Sequence, residues 1–248
     1  MPKLLAIFCL LLLPLQAFAI TGNAPAALPN GRHAVMIVGS HGTFCTGAAI
    51  ARDLVLTAGH CIEAHTTYKL VEFDAPHQPK LLDVREVARH PQFDAKKLFS
   101  HRATADVALL KMAQPLPADI IPAVLGDATA PNAGDTLTVF GYGVAVRGDG
   151  ETGGTLRAAT LTVTGKPGNL QIRLVDPRTG GSTPGMGACT GDSGAPVFSG
   201  AVVVGVVSWS TGPNLSDGCG GMTGVTPLTL YRAWIVDTAR RLGSPLAP

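Results

Sequence analysis

The stretch "TGDSGAP", Thr190 to Pro196, sets an acid and a serine between glycines late in the chain. A turn needs only the small residues. A serine nucleophile needs a base, usually an imidazole, because a free hydroxyl reacts poorly. Among seven histidines, His60 has the most unusual setting. In "LTAGHC" a strand-like run ends at Thr57, small residues turn the chain, and the histidine abuts a cysteine. An imidazole base must itself be oriented by a third group that fixes its tautomer. "ADVALLK" offers Asp106, an acid directly before an apolar run, where burial is costly unless the carboxylate is hydrogen-bonded. Taken singly, these are a turn, a surface or core histidine and a strand cap. Together, in the order His60, Asp106, Ser193, they are a specific candidate for acyl transfer, and the order separates them from other chain orders of the same set.

The elements that must position these groups read as short strands. Ala34 to Val38 ends at Gly39, and Thr43 to Ile50 and Leu54 to Thr57 flank a hairpin turn at Arg52-Asp53. Thr136 to Val139 and Leu170 to Leu174 alternate apolar and polar residues, the period of half-buried antiparallel strands. Ala201 to Val207 is almost wholly apolar and predicts a central strand buried on both faces. One helix is expected near the end, from Tyr231, Trp234, Ile235 and Leu242, with Arg240 and Arg241 favouring its negative end and Gly243 as its stop. The proline-rich stretch from Gln114 to Pro131 is the candidate linker between two halves.

Composition sets bounds. With 248 residues, a net charge of +2 and 15% charged residues, nothing points to nucleic acid or an anionic membrane surface. The 30 glycines and 19 prolines favour many turns. Residues 1–19 read as a signal peptide: Lys3, an apolar run Leu4 to Leu13, then the small-x-small site Ala17-Phe18-Ala19. The protein is therefore expected to be secreted or periplasmic, free of the membrane after cleavage, and a monomer. Cys9 lies in the signal segment. Cys45, Cys61, Cys189 and Cys219 remain, an even number that suggests two disulfides, with three pairings open. His60, His65, His77, His90 and His101 lack the spacing of a metal site, and no acid-rich Ca²⁺ loop occurs, so no metal or cofactor is expected.

"LTAGHC", "ADVALLK" and "GDSGAP", with "VSWS" and "GVTPLTLYRAWI", resemble the blocks of the chymotrypsin family, the trypsin-like serine proteases. The resemblance implies an all-β fold of two six-stranded antiparallel barrels and a C-terminal helix, with the site in the cleft between them. Residues 20–122 would form the first barrel and 123–248 the second. It implies Ser193 as nucleophile, His60 as general base and then acid, and Asp106 as orienting group. Gly191 and Ser193 would supply oxyanion-hole N–H groups, Ser208 would support Asp106, and the disulfides would be Cys45–Cys61 and Cys189–Cys219. It also implies that Asp192 pairs with a new α-amino group. Cleavage after Ala19 leaves Ile20 as that terminus, so signal cleavage itself would activate the chain.

The resemblance places the pocket for the residue preceding the scissile bond at Gly187, Ala188, Ser210 and Gly224. No carboxylate waits there for a lysine or arginine. Cleavage is expected after neutral residues, small or medium more than large aromatics, with Asp217 a solvated turn residue. Protein or peptide substrates and a protease inhibitor are the expected partners. The same triad would also hydrolyse esters. The alternatives are a catalytically silent binding protein on this fold and a zymogen needing further processing.

Overall fold

Alternating runs bury one face each, and closing a sheet on itself removes the exposed edges. The computed structural model describes residues 20–27, 31–73, 78–127, 129–165 and 170–246. The expected signal segment, residues 1–19, and His77 lie outside them. Strands β1 (Ala34–Gly39), β2 (Phe44–Ala51), β3 (Leu54–Thr57), β4 (Tyr68–Phe73), β5 (Pro79–Arg89) and β6 (Ala108–Met112) form a closed barrel in the order β1-β2-β3-β6-β5-β4. A short helix α1 (Ala95–Phe99) sits between β5 and β6. The second barrel contains β8 (Thr136–Gly141), β9 (Arg157–Val163), β10 (Ile172–Val175), β11 (Pro196–Ser199), β12 (Val202–Ser210) and β13 (Met222–Pro227), following a two-residue β7 (Val124–Leu125). Its order is β11-β8-β9-β10-β13-β12, closed by β11 against β12, with β7 lying parallel outside β12. The two six-stranded antiparallel barrels implied by the resemblance are present.

Each barrel has its own core: Ile37, Val55, Leu70 and Leu110 in the first, Leu137, Leu161, Leu174 and Val225 in the second. A third cluster joins them. It unites Leu54, Leu56 and Leu109 of the first barrel, Val203 and Val206 of β12, and Ile235, Ala239 and Leu242 around helix α2 (Arg232–Arg241). Strand β12 is thus buried on both faces, with Val204 and Val207 turned into the second barrel. Gly243 ends the helix at φ +75°, where its N–H and that of Ser244 return to the carbonyls of Arg240 and Ala239.

The structure differs from the sequence expectations in four places. Leu170 lies in a turn and is 57% exposed, so the strand starts only at Ile172. Helix α1 is too short to show a period; it forms because the Asp94 carboxylate accepts from the N–H groups of Lys96 and Lys97. The proline-rich linker is held in place. Leu116 is buried in the first core, and the Arg52 guanidinium donates to the carbonyls of Leu116, Pro117 and Ile120. Finally, both terminal segments reach across the division expected at residue 122. Thr21 and Ala26 bridge to Gly187 and Arg157, and Ile20 and Ala24 lie in the second core. Helix α2 seats across the joint. Each terminus therefore straps one barrel to the other.

Ile235 is fully buried in the joining cluster. Ile235→Ala should lower unfolding free energy by about 2–5 kcal/mol, the usual cost of such a cavity. Denaturant melts with an unchanged m-value would show it.

Candidate active site

Asp106 stands just before β6 and is fully buried. Its Oδ1 accepts from the backbone N–H of His60 at 2.8 Å, and its Oδ2 accepts from His60 Nδ1 at 2.9 Å and from Ser208 Oγ at 2.5 Å. An ionised carboxylate only accepts, so Nδ1 carries the proton and Nε2 is left as the basic nitrogen. His60 lies in the 3₁₀ turn Gly59–Cys61 that follows β3. A Cβ at Gly59 would lie 3.1 Å from Val107 N and 3.3 Å from Asp106 Oδ1, so glycine lets this turn close onto the carboxylate. The Cys45–Cys61 disulfide ties the turn to β2.

The Ser208 contact crosses between barrels, and a bulge makes it possible. Strand β12 pairs Val207 with Val225 but Trp209 with Gly224, so the extra residue is Ser208. Bulges re-aim side chains beside functional sites. Here the bulge directs Ser208 Oγ to Asp106 and reverses the facing of the two residues that follow.

Ser193 lies half-buried in the loop before β11. Its carbonyl accepts from Thr46 N at 2.8 Å and lies 3.7 Å from Cys61 Sγ, next to the His60 turn. Thr46 Oγ1 also donates to the Gly191 carbonyl at 2.8 Å, so one residue of β2 grips the loop on both sides of Asp192. Gly191 has φ +93° and Gly194 φ +78°, and a Cβ on them would lie 2.5 Å from the Phe44 ring and 2.0 Å from Thr57 Oγ1. Only glycine satisfies both demands. The N–H groups of Asp192, Gly194 and Ala195 donate to the carbonyls of Cys189, Val207 and Asp192. Among the described residues, those of Gly191 and Ser193 have no acceptor. Two free amides therefore flank Asp192.

The Asp192 side chain points the other way, into full burial. Its oxygens accept from Gly143 N at 2.8 Å and Cys189 N at 2.9 Å. A Cβ at Gly141 or Gly143 would strike this carboxylate. Burial pushes its carboxyl up to about 7, against the smaller opposing effect of the two amides. No ion pair among the described residues includes it. Ile20, with φ +47°, is buried in the same core as Ala188 and Ala195, which flank Asp192 in sequence.

Gly187, Ala188 and Ser210 gather at the wall of the second barrel, where Cys189–Cys219 ties the loop before Ser193 to the segment before β13. Gly224 does not join them. Ser210 pairs with Thr223, and Gly224 pairs with Trp209 on the opposite face. A Cβ at Gly224 would lie 2.0 Å from Trp209 Cε2. The Ser208 bulge is the physical reason, because it shifts the facing by one residue. Thr223, 1% exposed, takes the place expected of Gly224: its Oγ1 accepts from Ala188 N at 3.0 Å and stands 3.3 Å from where a Gly187 Cβ would be. Asp217 is exposed.

The other histidines serve elsewhere. His90 packs edge-on against Tyr231 and beside Trp234, where burial depresses its pKa. His101 stacks on Trp209 at 4.7 Å, and His65 occupies a turn at φ +59°. Cys45, His60 and Cys61 come within metal-binding reach of one another, but both sulfurs are committed to the disulfide.

A family model described as Trypsin matches residues 20–235. This chain belongs to the trypsin family. It is 30% identical over 224 residues to human Kallikrein-15, covering 79% of this chain and 82% of that one. It is 29% identical over 236 residues to Trypsin iota of Drosophila melanogaster, covering 90% and 89%. Human heparin binding protein shares the fold with a TM-score of 0.70 at 23% identity, over 92% of this chain and all of that one. Mouse neuropsin, described as a serine protease, does so with a TM-score of 0.68 at 20% identity, over 87% and 98%.

Sequence reasoning missed Thr223, Thr46 and the outward face of Trp209. The family blocks carry no sign of the shifted register, and Thr46 acts through packing that no motif records.

The raised Asp192 carboxyl has a consequence for the full-length chain. Its folded pKa lies above the ordinary value, so its charge costs stability that mounts as pH rises from about 4 to 7. Asp192→Asn should remove that slope. Calorimetric Tm values across this range should fall for wild type carrying residues 1–19 relative to the same chain with the substitution, and parallel curves would contradict the burial of an unpaired carboxylate.

Proposed function

We propose that this trypsin-family protein is an exported serine endopeptidase that uses Ser193, His60 and Asp106. The observation carrying this reading is the fully buried Asp106 carboxylate, bonded at once to His60 Nδ1 and Ser208 Oγ across the barrel joint. In the reaction Ser193 Oγ attacks the scissile carbonyl carbon, and its proton passes to His60 Nε2. The Asp106 charge stabilises the imidazolium that forms. The tetrahedral oxyanion takes the free N–H groups of Gly191 and Ser193, each such donor typically worth about 3–4 kcal/mol in the transition state. Collapse expels the amine, which takes the proton from Nε2. Water then repeats the sequence to release the acid and restore Ser193.

The pocket supports cleavage after neutral residues. Gly187 carries no charge to its floor, and the Thr223 side chain narrows it. Small and medium side chains fit best. Thr223→Gly should raise kcat/KM for peptides cleaved after phenylalanine relative to those cleaved after alanine by at least about tenfold, the scale of a few methylenes in a pocket. An unchanged ratio would place the pocket elsewhere.

Activation follows from Asp192. A buried carboxylate with two amides and no cation calls for one, and the α-amino group freed by cutting after Ala19 would begin at the buried Ile20. The pair would raise the amine pKa above about 7.7–8.0. Its ordering effect would hold below that value and fade as pH rises through the raised one. A fluorophosphonate should add one label to a chain starting at Ile20, with no label on Ser193→Ala. The labelling rate should decline in alkali and stay low at every pH in a chain extended before Ile20. A folded chain starting at Ile20 that takes no label would overturn the endopeptidase reading in favour of a silent binding protein.

A further inference from the structure

The outward face beside the pocket holds two donors that have no acceptor among the described residues. Arg173 on β10 pairs with Gly224 on β13, which pairs with Trp209 on β12, so the three stand abreast on one face. Gly224 lets the indole lie flat against the strand, and the Arg173 guanidinium sits 5.9 Å from the centre of that ring. His101, held at φ +52°, covers the indole in a stacked arrangement at 4.7 Å and 21°. Arg173 Nε and Trp209 Nε1 are both buried from solvent, and neither has a hydrogen-bond partner among the described residues. Nor does Arg173 belong to any ion pair among the described residues.

Buried polar groups are nearly always satisfied, and an unsatisfied one calls for an explanation. Two N–H donors on the strands either side of β13, one carrying a full positive charge, fit a single anionic acceptor. A guanidinium favours a carboxylate over a neutral amide because charge-assisted bonds are about twice as strong. The site's position says whose carboxylate it is. Trp209 follows Ser208, which holds Asp106, and precedes Ser210 on the pocket wall. An extended peptide advances roughly 3.3 Å per residue, so a side chain a few residues from the one in the pocket reaches this face.

We propose that Arg173 and Trp209 form a second recognition site that selects substrates carrying aspartate or glutamate within about four residues of the scissile bond. This deepens the endopeptidase reading and rests on it. Arg173 sets specificity and takes no part in bond cleavage.

The test uses peptide pairs that differ only by glutamate against glutamine, placed in turn at each of the four positions on either side of an alanine cleavage site. Wild type should show at one position a glutamate-to-glutamine ratio in kcat/KM above about tenfold, the scale of a hydrogen bond to a charged group. Arg173→Gln should bring that ratio close to one, and Arg173→Glu should make lysine the preferred residue there. Each ratio is measured within one protein, so a loss of folded fraction cancels. A wild-type ratio near one at every position, or a ratio that survives in Arg173→Gln, overturns the proposal and leaves the endopeptidase reading intact. Fluorescence anisotropy of the same peptides on Ser193→Ala separates the two the other way. Arg173-dependent preference for glutamate in binding, with no cleavage by wild type, would uphold this site and sink the endopeptidase reading.

Discussion

One buried carboxylate organises the molecule. Asp106 has no exposure to solvent, and its charge is tolerable only because three donors converge on it. Two come from the His60 turn of the first barrel and the third from Ser208 of the second. The contact therefore forms only when the barrels close on each other. The same closure assembles the joining cluster of Leu54, Leu109, Val206 and Ile235, so the hydrophobic gain of packing and the hydrogen bonding of the charge reinforce each other. The terminal straps and the Arg52-pinned linker hold that closure from outside.

The Ser193 loop depends on the same joint. Thr46 of the first barrel holds both its carbonyl and that of Gly191, and Phe44 and Thr57 lie where side chains on Gly191 and Gly194 would be. The loop is shaped from outside by the first barrel and from inside by Asp192, whose carboxylate fills the space left by Gly141 and Gly143. Two acids on either side of one loop thus differ in environment. Asp106 is met by an imidazole and a hydroxyl, whereas Asp192 is met, among the described residues, by two amides and has its carboxyl pushed up to about 7. The first arrangement ties the carboxylate to donors on both barrels. The second suits a charge that becomes stable only when a cation arrives.

The barrels and the candidate triad were legible in the sequence because each rests on local chemistry. Alternation at Thr136 to Val139 and the apolar run near Val203 reflect faces that a strand must bury. An acid before an apolar run, as at Asp106, requires partners wherever the chain goes. The proposed second recognition site and the place of Thr223 beside Gly187 and Ala188 were not legible. Both follow from one bulged residue, Ser208, which turns Trp209 outward beside Arg173 and puts Thr223 where Gly224 was expected. A bulge is a property of two strands in register, and nothing in "VSWS" alone records it. The five-residue helix after Asp94 and the seating of Leu116 were hidden for a similar reason, since one is too short for periodicity and the other depends on Arg52.

The most direct measurement is kcat/KM of Asp106→Asn against wild type, for chains starting at Ile20 and with matched circular dichroism. The substitution keeps shape and removes charge. An amide nitrogen facing Nδ1 would donate to it, moving the proton to Nε2 and leaving His60 unable to act as base. If the buried charge holds His60 in its working tautomer, activity should fall by about four orders of magnitude, the typical cost of the wrong tautomer in such a triad. Activity within about tenfold of wild type would remove Asp106 from the centre of the mechanism.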